Sequence, residues 1–256
     1  MLLAIDIGNT NIVIGVMKGL DLITSFRLTT QTPRTSDEYG IMMVEMLREK
    51  KIHVNDITAV IISSVVPDIM YSVNNSIKKY LHHKPLVVGP GVKTGLAVKT
   101  DNPREVGADR IVNCVAAYEM YGGPCMAIDF GTSTTYDIVN AKGEFIGGLI
   151  TPGIRICADA LWQRAAQLPH MEIKSTKGIL DCKNTVTSMQ SGLIYGYIGQ
   201  VEYIVNKTKE AMGCDDLKVI ATGGLAKVIQ DGTNVIQKYD GLLTLKGLAL
   251  IYEKNR

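Results

Sequence analysis

Two short stretches of this sequence place an acid, a glycine and small polar residues directly after a run of apolar residues. The first is LAIDIGNTN, in which Asp6 precedes Gly8 and Thr10, and the second is MAIDFGTST, in which Asp129 precedes Gly131. A glycine lets the backbone turn tightly, so that successive N–H groups can face an anion. Thr and Asn side chains add neutral donors to phosphate oxygens, and a carboxylate can hold Mg²⁺ beside the phosphates. Each stretch is therefore a candidate phosphate site.

One copy alone has a simpler explanation, because an Asx-type turn in a hairpin uses the same residues. The second copy lies nearly half of the 256-residue chain further on, and strands and helices are predicted to follow both copies in a similar order. A duplicated α/β unit is therefore favoured over a chance match. The match comprises four identical pairs and one pair of hydroxyl residues: Ala4/Ala127, Ile5/Ile128, Asp6/Asp129, Gly8/Gly131 and Thr10/Ser133.

A third glycine-rich stretch, ATGGLA (221–226), follows an apolar run late in the chain. Paired glycines after a strand let a flat ring lie on the backbone, which suits the base and ribose of a nucleotide. A plain turn between a strand and a helix explains this stretch equally well on its own. GPGVKTG (89–95) is not a Walker A loop, because Val92 precedes Lys93 where that loop needs glycine. Combined with the two acid turns, ATGGLA favours nucleotide binding.

EVGADR (105–110) holds the candidate general base. Asp109 lies near the start of a predicted helix, beside Arg110 and after a glycine. A carboxylate at a helix N-terminus is stabilised by the helix dipole and needs no catalytic explanation. These residues alone leave both interpretations of Asp109 open.

The surrounding pattern predicts the elements that must position these residues. Three strands, LLAIDI, NIVIGVM and LITSFRL, open the chain, and Thr35 with Glu38 forms a capping box for the first helix. ITAVIIS is predicted to be a buried strand, DIMYSVNNSIKKYLHH a helix and PLVVG a strand.

The second half repeats this alternation. A helix is predicted from Pro103 or Glu105, and CMAIDF, YDIVN and EFIGGLI are predicted strands. A long helix from about Thr185 to Met212 follows, then a strand in LKVIAT and a terminal helix in LLTLKGLALIYEK. Alternating strands and helices indicate an α/β fold.

Composition narrows the class of protein further. Hydrophobic residues make up 46% and charged residues 20%, as in a folded globule, and the formal net charge is only +2, with no basic run to follow a nucleic acid. The longest apolar stretch, ITAVIISSVV (57–66), is much shorter than the roughly 20 residues of a membrane span. The five cysteines are scattered and show no zinc spacing. We expect a cytoplasmic protein with neither a nucleic-acid nor a membrane partner.

The motifs taken together resemble a known superfamily. DIGNTN and IDFGTSTTYD, with ATGG downstream, resemble the acetate and sugar kinase, heat-shock ATPase and actin superfamily. Within it, the sequence closely resembles type III pantothenate kinase, because GPGVKTGL, DNPREVGADRIVN, GGLITPGI and NTVTSMQSG occupy their places between those motifs. The resemblance covers essentially the whole chain.

The resemblance implies an architecture of duplicated ribonuclease H-like (actin-like ATPase) α/β domains. Mixed sheets would be flanked by helices, and a nucleotide cleft would lie between the halves. Residues 1–117 would form the first half, with one phosphate loop and the substrate helix. Residues 118–256 would form the second half, with the other phosphate loop and the adenosine motif.

The resemblance also implies an activity and a set of site residues. ATP would phosphorylate pantothenate to 4′-phosphopantothenate, the first step of coenzyme A biosynthesis, in a homodimer whose substrate pocket is completed at the subunit interface. Asp109 would be the general base, Asp6 would lie near Mg²⁺, and Asp129 would help bind a monovalent cation, K⁺ or NH₄⁺. The implied ATP contacts are Asp6, Ile7, Gly8, Asn9, Thr10, Asn11, Ile12, Val13 and Thr132. The implied pantothenate contacts are Gly107, Ala108, Asp109, Arg110 and Thr185.

One position departs from the family pattern. Where many members carry Tyr in a stretch like IKYDNP, this chain has VKTDNP, with Thr100 in that place. Loss of an aromatic wall would alter pantothenate affinity, so a kinase acting on another small alcohol stays open. A non-catalytic regulator that binds nucleotide is a further alternative, against which the presence of Asp6, Asp109 and Asp129 argues.

Overall fold

The computed structural model describes residues 1–30 and 33–256, which form two compact units. Unit 1 comprises Met1–Ala116 together with Leu242–Arg256, and unit 2 comprises Ala117–Gly241. Within the described ranges, no helix has the length and apolar character that a membrane span requires.

Unit 1 is built on a five-stranded mixed sheet. Its elements are β1 (Leu2–Ile7), β2 (Asn11–Lys18), β3 (Asp21–Thr29), α1 (Ser36–Glu49), β4 (Ala59–Ser64), α2 (Pro67–Ser76), β5 (Leu86–Val87), β6 (Ala97–Val98), α3 (Ala108–Tyr121, whose last residues fall in unit 2) and, near the C-terminus, α7 (Leu243–Glu253). The strand order is β3-β2-β1-β4-β5. The first three strands are antiparallel neighbours, whereas β4 and β5 run parallel to β1.

The core of unit 1 follows from its sequence patterns. Every side chain of β1 except Asp6 is buried, as expected for a strand at the centre of a sheet. The predicted capping box of α1 is confirmed, because Thr35 Oγ1 accepts from Glu38 N at 3.2 Å while Thr35 N donates to Glu38 Oε2 at 2.7 Å. Tyr39, Met43 and the rest of the buried face of α1 then join the core under the sheet.

Unit 2 repeats the same plan. Its elements are β7 (Cys125–Phe130), β8 (Ser133–Val139), β9 (Glu144–Pro152), α4 (Ile154–Arg164), α5 (Thr185–Met212), β10 (Lys218–Thr222), α6 (Ala226–Gln230) and β11 (Lys238–Tyr239). The order β9-β8-β7-β10-β11 matches that of unit 1, with the first three strands antiparallel and the last two parallel to β7. The predicted fold class of duplicated mixed sheets flanked by helices is therefore confirmed.

Helix α5 spans the range that the sequence predicted. Asn184 forms its N-terminal cap, because Asn184 Oδ1 accepts from Thr187 N at 3.0 Å, and Gly213 ends it with a φ of 59°. Val201 and Val205 on its inner face are fully buried against the sheet. This helix contributes Ile194, Tyr197, Ile198, Val201 and Val205 to the buried core of unit 2.

Two helices differ from the sequence prediction. Helix α3 begins at Ala108 rather than at Pro103 or Glu105, because Pro103–Glu105 forms a separate 3-10 turn and Val106 is extended. Helix α4 was not predicted, although Ile154, Ala158 and Leu161 recur along it at helical spacing. Both differences lie beside residues singled out for chemistry.

Candidate active site

The first acid turn is the loop of the β1–β2 hairpin, so the hairpin interpretation describes its backbone correctly. Gly8 N donates to Asn11 O at 3.0 Å, and Thr30 Oγ1 donates to Gly8 O at 2.7 Å. A Cβ on Gly8 would lie 3.3 Å from Asn11 O, so the turn is tight at this point. Asn9, Thr10 and Asn11 are exposed at the tip. The loop therefore presents amide and hydroxyl groups to solvent.

The residues predicted to contact ATP in this loop divide into two groups. The side chains of Ile7 and Ile12 are buried in the core, so these two residues can reach a ligand only through their backbone. Asp6 and Val13, a cross-strand pair, are partly exposed. Side-chain chemistry toward a nucleotide would thus come from Asp6 and the exposed tip.

The second acid turn is one residue shorter than the first. Phe130 pairs with Thr134 across β7 and β8, whereas Ile7 pairs with Ile12 across β1 and β2. Thr134 and Ile12 are the first residues paired after each turn, so Ser133, which precedes Thr134, corresponds to Asn11, which precedes Ile12. The sequence match of Ser133 with Thr10 is therefore wrong. The match before the turn, which contains Asp129, is unaffected.

The ATGG stretch packs against the second acid turn within unit 2. Thr222 pairs with Asp129 in the parallel register, and Gly223 follows with a φ of 94°. A Cβ on Gly223 would lie 2.7 Å from Asp129 Oδ1 and 2.6 Å from Phe130 O. Only glycine fits here, and the carboxylate and carbonyl oxygens beside it form a donor set that suits a hard monovalent cation.

Thr132 is held by the segment that leads into α4. Gly153 N donates to Thr132 O at 3.1 Å, and a Cβ on Gly153 would lie 2.3 Å from the same oxygen. The side chain of Thr132 is exposed beyond this contact. Gly153 therefore fixes the backbone of the residue predicted to contact ATP.

Asp109 lies in the first turn of α3, and it is partly buried. Burial raises the pKa of its carboxyl, and this outweighs the opposing effect of the Arg110 backbone N–H, which donates to Asp109 Oδ1 at 2.8 Å. A Cβ on Gly107 would lie 2.6 Å from the same Oδ1. The glycine leaves room for this orientation of the carboxylate, and the raised pKa makes it a stronger base.

The turn that carries Asp109 lies at the edge of the unit 1 sheet where β1 ends. Val65 N donates to Ile7 O at 3.0 Å, and Val65 Cγ1 lies 3.5 Å from the position a Cβ on Gly107 would take. Val65 therefore contacts both the end of β1 and the EVGADR turn. The structure brings the segments of Asp6 and Asp109 to one edge of one sheet.

The remaining predicted substrate residues lie at helix N-termini. Ala108 and Arg110 are partly exposed in the first turn of α3, and Thr185 is exposed as the first residue of α5. Helix N-termini present backbone N–H groups that favour anions.

A Mg²⁺ ion fits Asp6 by the chemistry of its donors. Mg²⁺ commonly binds through one or two carboxylates together with substrate phosphates. Asp6 places its buried Oδ1 beside the exposed hairpin tip. No three His, Cys, Asp or Glu side chains gather into a metal site in the part of the chain that the structure describes.

Sequence reasoning did not select Ser63, which pairs with Asp6 between β1 and β4. Its side chain is fully buried and its Oγ has no hydrogen-bond partner among residues 1–30 and 33–256. The available signal was a serine near the end of a predicted buried strand.

Solved structures share this fold over nearly the whole chain. A Campylobacter jejuni protein described as a Baf family transcriptional activator aligns over 99% of this chain and 98% of its own, with a TM-score of 0.60 and 19% identity. The activator of 2-hydroxyisocaproyl-CoA dehydratase from Clostridium difficile, solved with bound ADPNP, aligns over 98% and 93%, with a TM-score of 0.53 and 12% identity. The duplicated mixed sheets flanked by helices define the fold class of this chain.

Sequence comparison identifies the family within that class. A family profile for type III pantothenate kinase matches residues 2–207. A type III pantothenate kinase from Agathobacter rectalis is 54% identical over 254 residues, covering 99% of this chain and 97% of that protein. The chain belongs to the type III pantothenate kinase family.

Proposed function

We propose that this protein transfers the γ-phosphoryl group of ATP to the primary hydroxyl of pantothenate, giving ADP and 4′-phosphopantothenate, the first step of coenzyme A biosynthesis. Membership of the family over the full chain carries this proposal. The arrangement of unit 1 supports it, because the acid turn of Asp6 and the turn of Asp109 reach one sheet edge.

Asp109 is proposed as the general base. It accepts the hydroxyl proton as the substrate oxygen bonds to the γ-phosphorus and the bond from that phosphorus to the ADP oxygen breaks. Such a base typically contributes about 10² to 10⁴-fold to the rate. A carboxyl with a raised pKa holds this proton more firmly than an ordinary aspartate does.

The two acid turns are both proposed to contact ATP. Backbone amides and the exposed side chains of Asn9, Thr10 and Asn11 contact the phosphates from one turn, and Thr132 contacts ATP from the other. Asp6 holds Mg²⁺, which neutralises charge on the transferring phosphoryl group when bound. Asp129, with the carbonyl oxygen of Phe130, holds K⁺ or NH₄⁺.

Pantothenate is proposed to bind at the N-termini of α3 and α5. Backbone groups of Gly107 and Ala108 orient it beside Asp109, Arg110 supplies positive charge for its carboxylate, and Thr185 adds a hydroxyl contact. Thr100 leaves more space than a tyrosine at that position. We expect this difference to change the affinity for pantothenate and not the reaction that is catalysed.

We also propose a homodimer and a cytoplasmic location. Ile150 on β9, Trp162 on α4 and Leu180 are large apolar side chains of unit 2 that are 62%, 45% and 82% exposed, and they are the residues that we propose for the dimer interface. Sedimentation of the wild type should give twice the chain mass, and Ile150→Asp should shift it toward the monomer. A wild type that sediments as a monomer would contradict the dimer.

A substrate panel tests the proposed reaction. ADP formation is measured with ATP, Mg²⁺ and K⁺ in the presence of pantothenate, other small alcohols or no acceptor. We expect turnover with pantothenate far above every other condition. Turnover with a different alcohol would indicate a kinase of other specificity, and nucleotide binding without any acceptor-dependent turnover would indicate a regulator.

A further inference from the structure

Ser63 is a buried hydroxyl that the fold does not use. Its side chain is 0% exposed, and Oγ has no hydrogen-bond partner in the described part of the chain. Buried hydroxyls are normally paired, because desolvating an unpaired one is unfavourable. The equally buried Ser76 follows that rule, since its Oγ donates to Val73 O at 2.7 Å. The neighbouring Ser64 also follows it, with Oγ accepting from Val66 N at 3.1 Å.

The position of Ser63 points to the acid of the first turn. Ser63 and Asp6 are directly paired in the parallel register of β4 and β1. Paired residues on adjacent strands project from the same face, and the strands are about 4.8 Å apart. The hydroxyl is therefore close enough to reach the carboxylate after rotation about χ1, or through one water.

The surroundings of Ser63 favour a ligand-linked role over a packing role. Ile61 and Ile62, which precede it on β4, are fully buried apolar residues, so an alanine would suit this part of the strand. Val65, two residues further on, contacts the turn that carries Asp109. The unused hydroxyl is thus on the residue paired with the proposed metal-binding acid, two positions before a residue that contacts the segment of the proposed base.

We propose that Ser63 is a positioning residue for the metal–nucleotide complex. Its hydroxyl donates a hydrogen bond to the Asp6 carboxylate and fixes which oxygen faces the cation. Carboxylates that bind metals are usually held by such hydrogen bonds, and removing one typically costs about 10- to 100-fold in metal affinity or activity. This inference rests on the proposed function, in which Asp6 holds Mg²⁺.

The test compares Ser63→Ala with the wild type and with Ser64→Ala as the matched control. Mn²⁺ serves as the probe, and its binding to each protein with ADP is followed by electron paramagnetic resonance. We expect the Mn²⁺ dissociation constant to rise about 10-fold or more in Ser63→Ala and to stay unchanged in Ser64→Ala. ADP affinity in EDTA, and the Tm of the metal-free protein, should not fall in Ser63→Ala.

Two outcomes would overturn this inference. One is an unchanged Mn²⁺ dissociation constant in Ser63→Ala. The other is a lowered Tm accompanied by weaker ADP binding in EDTA, which would indicate a structural role for the serine. Pantothenate phosphorylation by the wild type is measured separately, so its absence would overturn the proposed function without deciding the role of Ser63.

Discussion

At the scale of single residues, the candidate chemistry depends on how neighbouring atoms constrain three acids. Gly107 leaves space for the carboxylate of Asp109, and Gly223 leaves space beside that of Asp129. Asp6 and Asp129 could be picked from the sequence because acid and glycine recur together, whereas Asp109 was picked through the family resemblance. The burial of Asp109 and the hydroxyl beside Asp6 could not, because both depend on packing between segments distant in the chain.

The raised pKa of Asp109 predicts the acidic side of the pH–rate profile. A general base must be ionised, so kcat/KM falls as the pH drops through the pKa of that group. Because burial raises this pKa, we expect the acidic limb to lie above 3.8, the ordinary value for an aspartate. Circular dichroism over the same pH range controls for unfolding. A limb at or below 3.8 in a folded protein would contradict the assignment.

Gly107→Ala tests the space reserved for that carboxylate. The added Cβ would lie 2.6 Å from Asp109 Oδ1, so the carboxylate must move, while the backbone itself tolerates alanine. We expect kcat to fall by up to about 100-fold, as for a reacting group displaced by about 1 Å. Gly199→Ala, where a Cβ meets open space, is the control and should keep wild-type kcat. Normal turnover in Gly107→Ala would show that the carboxylate orientation does not matter.

At the scale of elements, local sequence rules predicted several elements that carry their own signal at a helix end. The range of α5 and the capping box of α1 are examples. The two-residue strands β6 and β11 were not predicted, because so short a segment has no periodicity to detect. The shorter loop at the second acid turn appeared only in the strand register, since sequence letters cannot show which residue pairs across a hairpin.

Thr35→Ala tests the capping box of α1. Losing such a cap costs about 1 kcal/mol of unfolding free energy, which lowers the Tm of a chain of this size by roughly 2–4 °C. Thr35→Ser keeps the hydroxyl and should retain most of the stability. We expect kcat at 25 °C to be unchanged in both, because the cap serves the fold. An unchanged Tm in Thr35→Ala would mean that the cap contributes little.

At the scale of the whole molecule, each unit carries the same strand order, with an acid at the end of its first strand. Duplication explains why two such acids exist, and their different neighbours explain why two different cations are proposed for them. Asp6 lies beside an exposed polar tip, whereas Asp129 lies against a carbonyl oxygen and a glycine.

The proposed cation at Asp129 predicts a dependence on the salt used. Replacing K⁺ with Na⁺ at constant ionic strength should slow turnover of the wild type several-fold, because the smaller ion fits the same oxygen donors poorly. Asp129→Asn should lose this difference. Equal wild-type rates in the two salts would remove the monovalent cation from the site.

Asp109→Asn is the variant that tests most directly whether Asp109 is the general base. The pKa of Asp109 is raised in the folded state, so the stability it contributes is present at low pH and lost as the pH rises through that value. At pH 7.5 the ionised carboxylate therefore opposes folding, and asparagine removes this effect. We expect the Tm of the variant to be no lower than that of the wild type.

The measurement is single-turnover phosphoryl transfer from ATP to pantothenate, followed by rapid quench in the wild type and in Asp109→Asn. With both substrates bound beforehand, we predict that 4′-phosphopantothenate forms about 10² to 10⁴-fold more slowly in the variant while its ATP affinity is kept. Formation of 4′-phosphopantothenate at the wild-type rate in Asp109→Asn would contradict the role of Asp109 as the base.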